Sequence, residues 1–198
     1  MSNGIQLGGF ELVSPINKGG MGEVWLGRQV NTSMPVAVKV ITGDRAQNRY
    51  FHECFRNEVR LVAGLDHPGI VMVLDYGEIS EEAAQQSKGA LVAGSPYLVQ
   101  EYAGSGSLMA ARKRVMAWPE LRAVLLALLD ALGHAHARGV IHRDLKPGNI
   151  LVCGMEDLRP GLKICDFGLA RIYEDPNQPA AVERVRGTLH YMSPEQCM

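Results

Sequence analysis

The stretch Ile16–Asn17–Lys18–Gly19–Gly20–Met21–Gly22–Glu23–Val24 could bind phosphate. A glycine-rich hairpin between two strands can fold over an anion, because its backbone N–H groups come close enough to bond the oxygens. A dinucleotide fingerprint does not fit, since it needs a helix directly after the glycines, and no Gly-Lys-Ser/Thr follows to make a Walker A loop. A plain flexible hairpin is the competing reading, because glycine readily marks turns. Lys39 alternates with apolar residues in Val36–Ala37–Val38–Lys39. At an interior strand position it would face a charged partner or a ligand; on an isolated strand it would reach water. Glu58 lies one helical turn after Phe55, on the apolar side of its segment. There it requires a partner, or must sit at the edge of the stripe and reach solvent, because an unpaired buried charge is costly.

The elements around these residues follow from periodicity. Phe10–Val13, Val24–Leu26 and Val36–Val40 read as strands, with a turn at Asn31–Ser33 and Pro35. From Ala46 to Leu65 the spacing of Phe51, Phe55, Val62 and Leu65 predicts a helix, ended by His67–Pro68–Gly69. Ile70–Leu74 and Tyr97–Glu101 read as further strands, and Ser80–Gly94 as a loop insertion without a period. Pro119 to Arg138 has a helix-start proline, a broad leucine face and a closing Gly139. Short strands follow at Ile150–Val152 and Leu162–Ile164, then an irregular stretch from Gly168 to Glu195. Irregular segments of that length inside compact domains are usually functional or mobile.

Composition narrows the class. A net charge of −1 over 198 residues gives no basic face for nucleic acid. Cys54, Cys153, Cys165 and Cys197 form no CxxC pair, and no cysteine stands near His134 and His136, so a zinc centre is not indicated. Free thiols in a reducing compartment fit this spacing. Met1–Gly9 has no apolar signal-peptide core, and Val124–Leu132 is about half the length a membrane span needs. The expected location is the cytoplasm, either free or as the cytoplasmic part of a larger membrane-anchored protein.

Ile141–His142–Arg143–Asp144–Leu145–Lys146–Pro147–Gly148–Asn149–Ile150–Leu151 comes next, followed by Asp166–Phe167–Gly168, Gly187–Thr188 and Ser193–Pro194–Glu195. With the glycine cluster, the lysine of Val-Ala-Val-Lys and Glu58, these stand in the order and separation of the protein kinase superfamily, which the chain resembles from Phe10 onward. Lys146, two residues after Asp144, is similar to the serine/threonine branch, and Lys-Gly-Gly-Met-Gly-Glu-Val-Trp and Tyr-Met-Ser-Pro-Glu-Gln to its bacterial (eukaryotic-like) members.

The resemblance implies an α+β, two-lobed protein-kinase-like fold. Residues 1–9 would be an N-terminal extension. Residues 10–101 would form an antiparallel-sheet N-lobe with one main helix. Residues 102–198 would be a partial, mainly helical C-lobe carrying the catalytic loop, metal-binding loop and activation segment. The implied reaction is transfer of the ATP γ-phosphoryl group to Ser or Thr of protein substrates, with Mg²⁺ as cofactor; a homodimer is left open. Phosphoryl transfer depends on positioning and electrostatics. Asp144 would accept the hydroxyl proton, and Lys146 would stabilise charge on the γ-phosphoryl group. Asn149 and Asp166 would hold Mg²⁺ with oxygen ligands. Lys39 would hold the α- and β-phosphates, paired with Glu58. Asn17, Lys18, Gly19, Gly20, Met21 and Gly22 would make up the loop over the phosphates, with Gly19 and Gly22 allowing its close approach. Ile16, Val24 and Ala37 above and Leu151 below would sandwich adenine. The linker Glu101–Tyr102–Ala103 would offer backbone hydrogen bonds to the base, and Gln100 would stand behind it. His142 and Phe167 would be structural, and Cys165 simply buried.

Three departures from the family stand out. Asn17 replaces the first loop glycine, and asparagine tolerates left-handed backbone conformations. No Ser or Thr lies between Arg171 and Gly187, so Glu183 is a candidate stand-in for a phosphate on Arg143; a solvated Glu183 is the alternative. The match runs out at Met198, where the family has more helices, so the chain is expected to be truncated after the activation segment, with apolar surface exposed. The competing functional readings are a nucleotide-binding pseudokinase or scaffold, and an inactive fragment. Lys39, Glu58, Asp144, Asn149 and Asp166, all present, favour the enzyme.

Overall fold

In β4 (Pro35–Ile41) every second residue is a valine, and Val36, Val38 and Val40 are fully buried on one face, as a period of two requires. The computed structural model describes residues 4–19, 22–42, 49–111, 115–167 and 189–193. Around β4 stands a six-stranded antiparallel sheet. Its order is β1 (Ile5–Leu7), β2 (Phe10–Gly19), β3 (Gly22–Gln29), β4, β6 (Pro96–Glu101) and β5 (Val73–Glu78). Register sorts its residues between the two faces. Val24 lies opposite Lys39 and Leu26 opposite Ala37, while Gln100 and Leu98 of β6 pair with Ala37 and Lys39. Trp25, opposite Val38, belongs to the other face and its core.

On that core face the structure adds a strand to residues 1–9 and corrects one sequence expectation. The N-terminal extension contains β1, whose Ile5 pairs with Leu12 and whose Leu7 is buried. The insertion expected as loop contains α2 (Glu81–Gln86), started by Ser80, whose Oγ accepts the Ala83 N–H at 3.2 Å. Ala83 and Leu91 from this insertion, with Ile79 just before it, join Leu7, Trp25 and Val38 in one core. Gln86 Oε1 accepts the N–H of Gln6 at 3.4 Å, which ties the insertion to β1. Six helical residues are too few to display a 3.6-residue period, and a three-residue strand is too short to display alternation.

α1 (Arg49–Ala63) carries three residues of the predicted stripe, Phe51, Phe55 and Val62, buried together with Val59, while buried Leu65 lies just past its end; the Phe51 and Phe55 rings stack with centroids 6.5 Å apart. The expected start at Ala46 lies outside the described residues. The chain divides into two units, Met1–Val59 with Met72–Tyr102, and Arg60–Val71 with Ala103–Met198.

In the second unit, α3 (Leu108–Ala111) and α4 (Trp118–His136) accompany the two-stranded antiparallel sheet of β7 (Ile150–Cys153) and β8 (Gly161–Ile164). Glu120 Oε2 caps the start of α4 by accepting the Ala117 N–H at 3.1 Å. Gly139, at φ +73°, closes its end as the Val140 N–H reaches the Ala135 carbonyl. Ala131 and Ala135 are buried, whereas Trp118, Leu121, Leu125, Leu126 and Leu129 are exposed. The strand expected at Ile70–Leu74 begins only at Val73. Ile70 instead forms a parallel bridge with Ile164, and the Val71 N–H donates to the Ile164 carbonyl at 3.0 Å. Arg159 and Lys163 donate to the carbonyls of Ile70 and Pro68 at 3.1 and 3.2 Å. A short apolar run does not disclose which strand it will pair with, and here tertiary hydrogen bonds claimed its first two residues.

Candidate active site

The segment His142–Asn149 is organised by hydrogen bonds to its own backbone and to Cys165. Buried His142 accepts the Asp144 N–H on Nδ1 at 3.2 Å, so its proton sits on Nε2, which donates to the Cys165 carbonyl at 2.9 Å. Burial holds the His142 pKa below the ordinary value. The bond to Cys165 and the charges of Asp166 and Asp144 oppose that shift, and Lys146 adds slightly to it. The ring is therefore a neutral bridge. Phe167 packs on it with ring centroids 4.7 Å apart.

Asp144 is held from three sides. Its Oδ2 accepts Lys146 Nζ at 2.7 Å and Asn149 Nδ2 at 3.2 Å, and its main-chain carbonyl accepts the same Asn149 amide at 2.8 Å. Its Oδ1 is buried with no hydrogen-bond partner. A buried oxygen left unpaired is costly, and such atoms concentrate where function asks for them. Because its Nδ2 donates to Asp144, Asn149 has Oδ1 left as its second polar atom, a hard acceptor. The Asn149 carbonyl also takes the Cys165 N–H at 2.9 Å. This bond fixes the chain just before Asp166, whose φ of +62° is left-handed. Arg143 has φ +68°. Left-handed conformations are costly for residues other than glycine and persist where the surroundings enforce them.

In the first unit, register puts Val24, Ala37, Lys39 and Gln100 on one face of the sheet. Lys39 is only 7 % exposed, and Gln100 is buried beside it. Glu58 stands on α1 next to buried Val59 and is half-buried. The glycine-rich hairpin is different in character: Ile16 is 48 % exposed, and Lys18 forms an exposed ion pair with Glu23 at 2.6 Å. Asn17 is extended and pairs with Val24, just after a register shift, so its tolerance for left-handed backbone is not called on. Gly22 has φ +144°, and a Cβ there would lie 2.1 Å from the Val40 carbonyl oxygen. The sheet itself therefore demands this glycine. Gly19 pairs with Gly22, while Gly20 and Met21 lie outside the described residues.

Glu101 is buried. Its N–H donates to the Met72 carbonyl at 3.0 Å and its Oε1 accepts the Met72 N–H at 2.8 Å. A backbone bond from Glu101 to a base therefore falls to its carbonyl. Beyond Ala103 the linker runs along β7: the Val152 N–H donates to Gly106 at 2.8 Å, and Ser107 forms a bridge with Leu151.

A family model described as the protein kinase domain matches residues 10–197. The chain belongs to the protein kinase family. Serine/threonine-protein kinase PknB of Mycobacterium leprae (strain TN) is 36% identical over 189 residues, which span 94% of this chain and 28% of that protein. Serine/threonine-protein kinase Pkn1 of Myxococcus xanthus is 33% identical over 195 residues, 98% of this chain and 26% of that protein. The chain thus spans about a quarter of the length of these curated relatives. Among solved structures, a double mutant of the Mycobacterium tuberculosis PknI kinase domain superposes with a TM-score of 0.68 at 27% identity, covering 91% of this chain and 67% of that one. A single mutant of the same domain gives 0.65 at 27% identity, covering 85% and 63%.

The kinase fold expected from the motifs is therefore the fold of this chain. Asp144, Lys146 and Asn149 share one hydrogen-bonded cluster, with Asp166 one residue beyond Cys165. Cys165, expected only to be buried, is partly exposed, and contributes its carbonyl to His142 and its N–H to Asn149. No side-chain signal could have announced that, because both groups are backbone. Glu183, Glu195 and the rest of the activation segment up to Thr188 lie outside the described residues. No described helix is long and apolar enough to cross a membrane.

Proposed function

We propose that this chain is a serine/threonine protein kinase catalytic domain, which transfers the γ-phosphoryl group of ATP to Ser or Thr hydroxyls of protein substrates. The observation that carries the reading is the Asp144 carboxylate. One of its oxygens is pinned by Lys146 and Asn149, and the other is buried and unpartnered. Such an oxygen suits a hydroxyl donor, and a carboxylate held so rigidly can orient that hydroxyl and take its proton. Lys146, fixed at 2.7 Å, keeps a positive charge beside the place where the γ-phosphoryl group would carry its charge.

The donor set of Asn149 and Asp166 consists of hard oxygens, which fits Mg²⁺. When bound, that ion neutralises charge on the phosphate oxygens. From residues 10–101, read as the N-lobe, buried Lys39 would bind the α- and β-phosphates with Glu58 as its partner. Ile16, Val24 and Ala37 would cover adenine, and the backbone of residues 17–22 would cover the phosphates. From residues 102–198, read as the C-lobe, Leu151 would form the adenine floor and the Ala103 backbone would read the edge of the base, together with the Glu101 carbonyl. A cytoplasmic setting fits the free thiols of Cys54, Cys153 and Cys165.

The test is transfer of labelled γ-phosphate from ATP to a generic Ser/Thr substrate such as casein. Asp144→Asn should lower kcat by about 10²–10⁴-fold while ATP binding persists, the range expected for loss of a general base. Unchanged turnover in that variant, or no transfer by folded wild type, would overturn the reading.

A further inference from the structure

Asp157 lies in the turn between β7 and β8, outside every kinase motif recognised in the sequence, yet it holds the linker. Both of its carboxylate oxygens accept the Gly104 N–H at 3.2 Å, and Oδ2 also accepts the Gly154 N–H at 2.7 Å. The Asp157 N–H donates back to the Gly154 carbonyl at 3.2 Å. The turn is thereby closed on itself, and its carboxylate is presented to a backbone amide 53 positions earlier in the chain.

We infer that Asp157 is a positioning residue for nucleotide binding: it sets the peptide plane through which Ala103 meets the adenine edge. This rests on the kinase reading above. The Gly104 N–H and the Ala103 carbonyl belong to one planar, trans peptide unit, so they point in opposite directions. An acceptor that fixes the first therefore aims the second. The same carboxylate is the outermost of three ties between the linker and the β7–β8 hairpin; the others are Val152 N–H to the Gly106 carbonyl and the Ser107–Leu151 bridge. Leu151 is the proposed adenine floor. The three ties thus hold the floor and the reading edge in one register. Hydrogen bonds to charged acceptors are stronger than neutral ones, and this one acts on an exposed glycine, the residue with the most backbone freedom to lose.

The experiment compares wild type, Asp157→Ala, the isosteric Asp157→Asn and the neighbouring control Glu156→Gln. Titration with fluorescent ATP and GTP analogues gives affinity and base preference, and amide exchange reads Gly104 directly. Asp157→Ala should weaken ATP binding by about tenfold, the equivalent of one charged hydrogen bond. It should also reduce the preference for adenine over guanine, which a general loss of stability would not do selectively. Asp157→Asn should fall between wild type and Asp157→Ala, and Glu156→Gln should match wild type. Equal affinity and base preference in both folded Asp157 variants would overturn the inference. Wild type that binds no nucleotide would overturn the kinase reading instead. The clasp is then judged by exchange alone: a Gly104 amide as fast as an open loop in wild type refutes it, whether or not the variants fold.

Discussion

The catalytic loop and the glycine-rich hairpin carry equally recognisable motifs, but they are held in opposite ways. From His142 to Asn149, side chains bond to backbone and to each other inside the second unit, and one carboxylate oxygen of Asp144 stays buried and unpaired. The hairpin has exposed side chains at Ile16, Asn17 and Lys18, and the bond from Lys18 to Glu23 is exposed as well. The contrast matches the tasks proposed for them. A group that must receive a proton in line needs a fixed position, whereas a cover over phosphates must admit and release its ligand. Rigidity is spent where geometry decides rate.

The strongest way to break this comparison is at His142. His142→Ala removes the bridge from the Asp144 N–H to the Cys165 carbonyl and the ring that Phe167 packs on. It should cost about 3 kcal/mol in denaturant unfolding, as for deletion of a large buried ring. A loss below the scatter of surface variants would mean that the loop is not held through this residue. The same ring sets a pH dependence. Its folded pKa lies below the ordinary 6.5, so the unfolded chain takes up the proton first. Stability from this group is complete above that value and drains away as pH falls through it towards the folded pKa. Melting temperature should drop between pH 7 and pH 5 (~2 units around the ordinary histidine value), and His142→Gln should flatten the curve.

Gly22→Ala tests the hairpin where it is not loose. With the added Cβ facing the Val40 carbonyl at 2.1 Å and φ at +144°, the variant should cost about 2 kcal/mol. The cost should appear as faster amide exchange in β3 and β4. Exchange confined to the hairpin tip would show that this glycine serves the phosphates and not the sheet. The smallest effect belongs to Lys18→Ala: an exposed ion pair contributes little, so stability should change by less than about 0.5 kcal/mol. A larger loss would sharpen the picture towards a hairpin held by its own charges.

Much of the fold was legible because it rests on period. The valines of β4, the stripe of α1 and the proline-to-glycine span of α4 each repeat long enough to identify the element. β1 and α2 were hidden for the opposite reason, being too short to repeat, although Ser80 followed by Glu81 and Glu82 is a helix-start signal that could have been read. The motif residues were legible by type, and the roles proposed for them come from resemblance. Asp157 was not, because its turn looks like any other and its partner is 53 positions away.

By itself, the sequence determined the family and the order of most elements, and it named the side chains proposed to carry the chemistry, since these depend on residue identity and local spacing. Tertiary structure alone decided that Ile70 and Val71 would bond to β8, that Gly22 would be claimed by the Val40 carbonyl, and that one oxygen of Asp144 would stay unpaired. Each of those outcomes is a backbone or long-range contact. A hydrogen bond between groups distant along the chain leaves no period in the sequence to read.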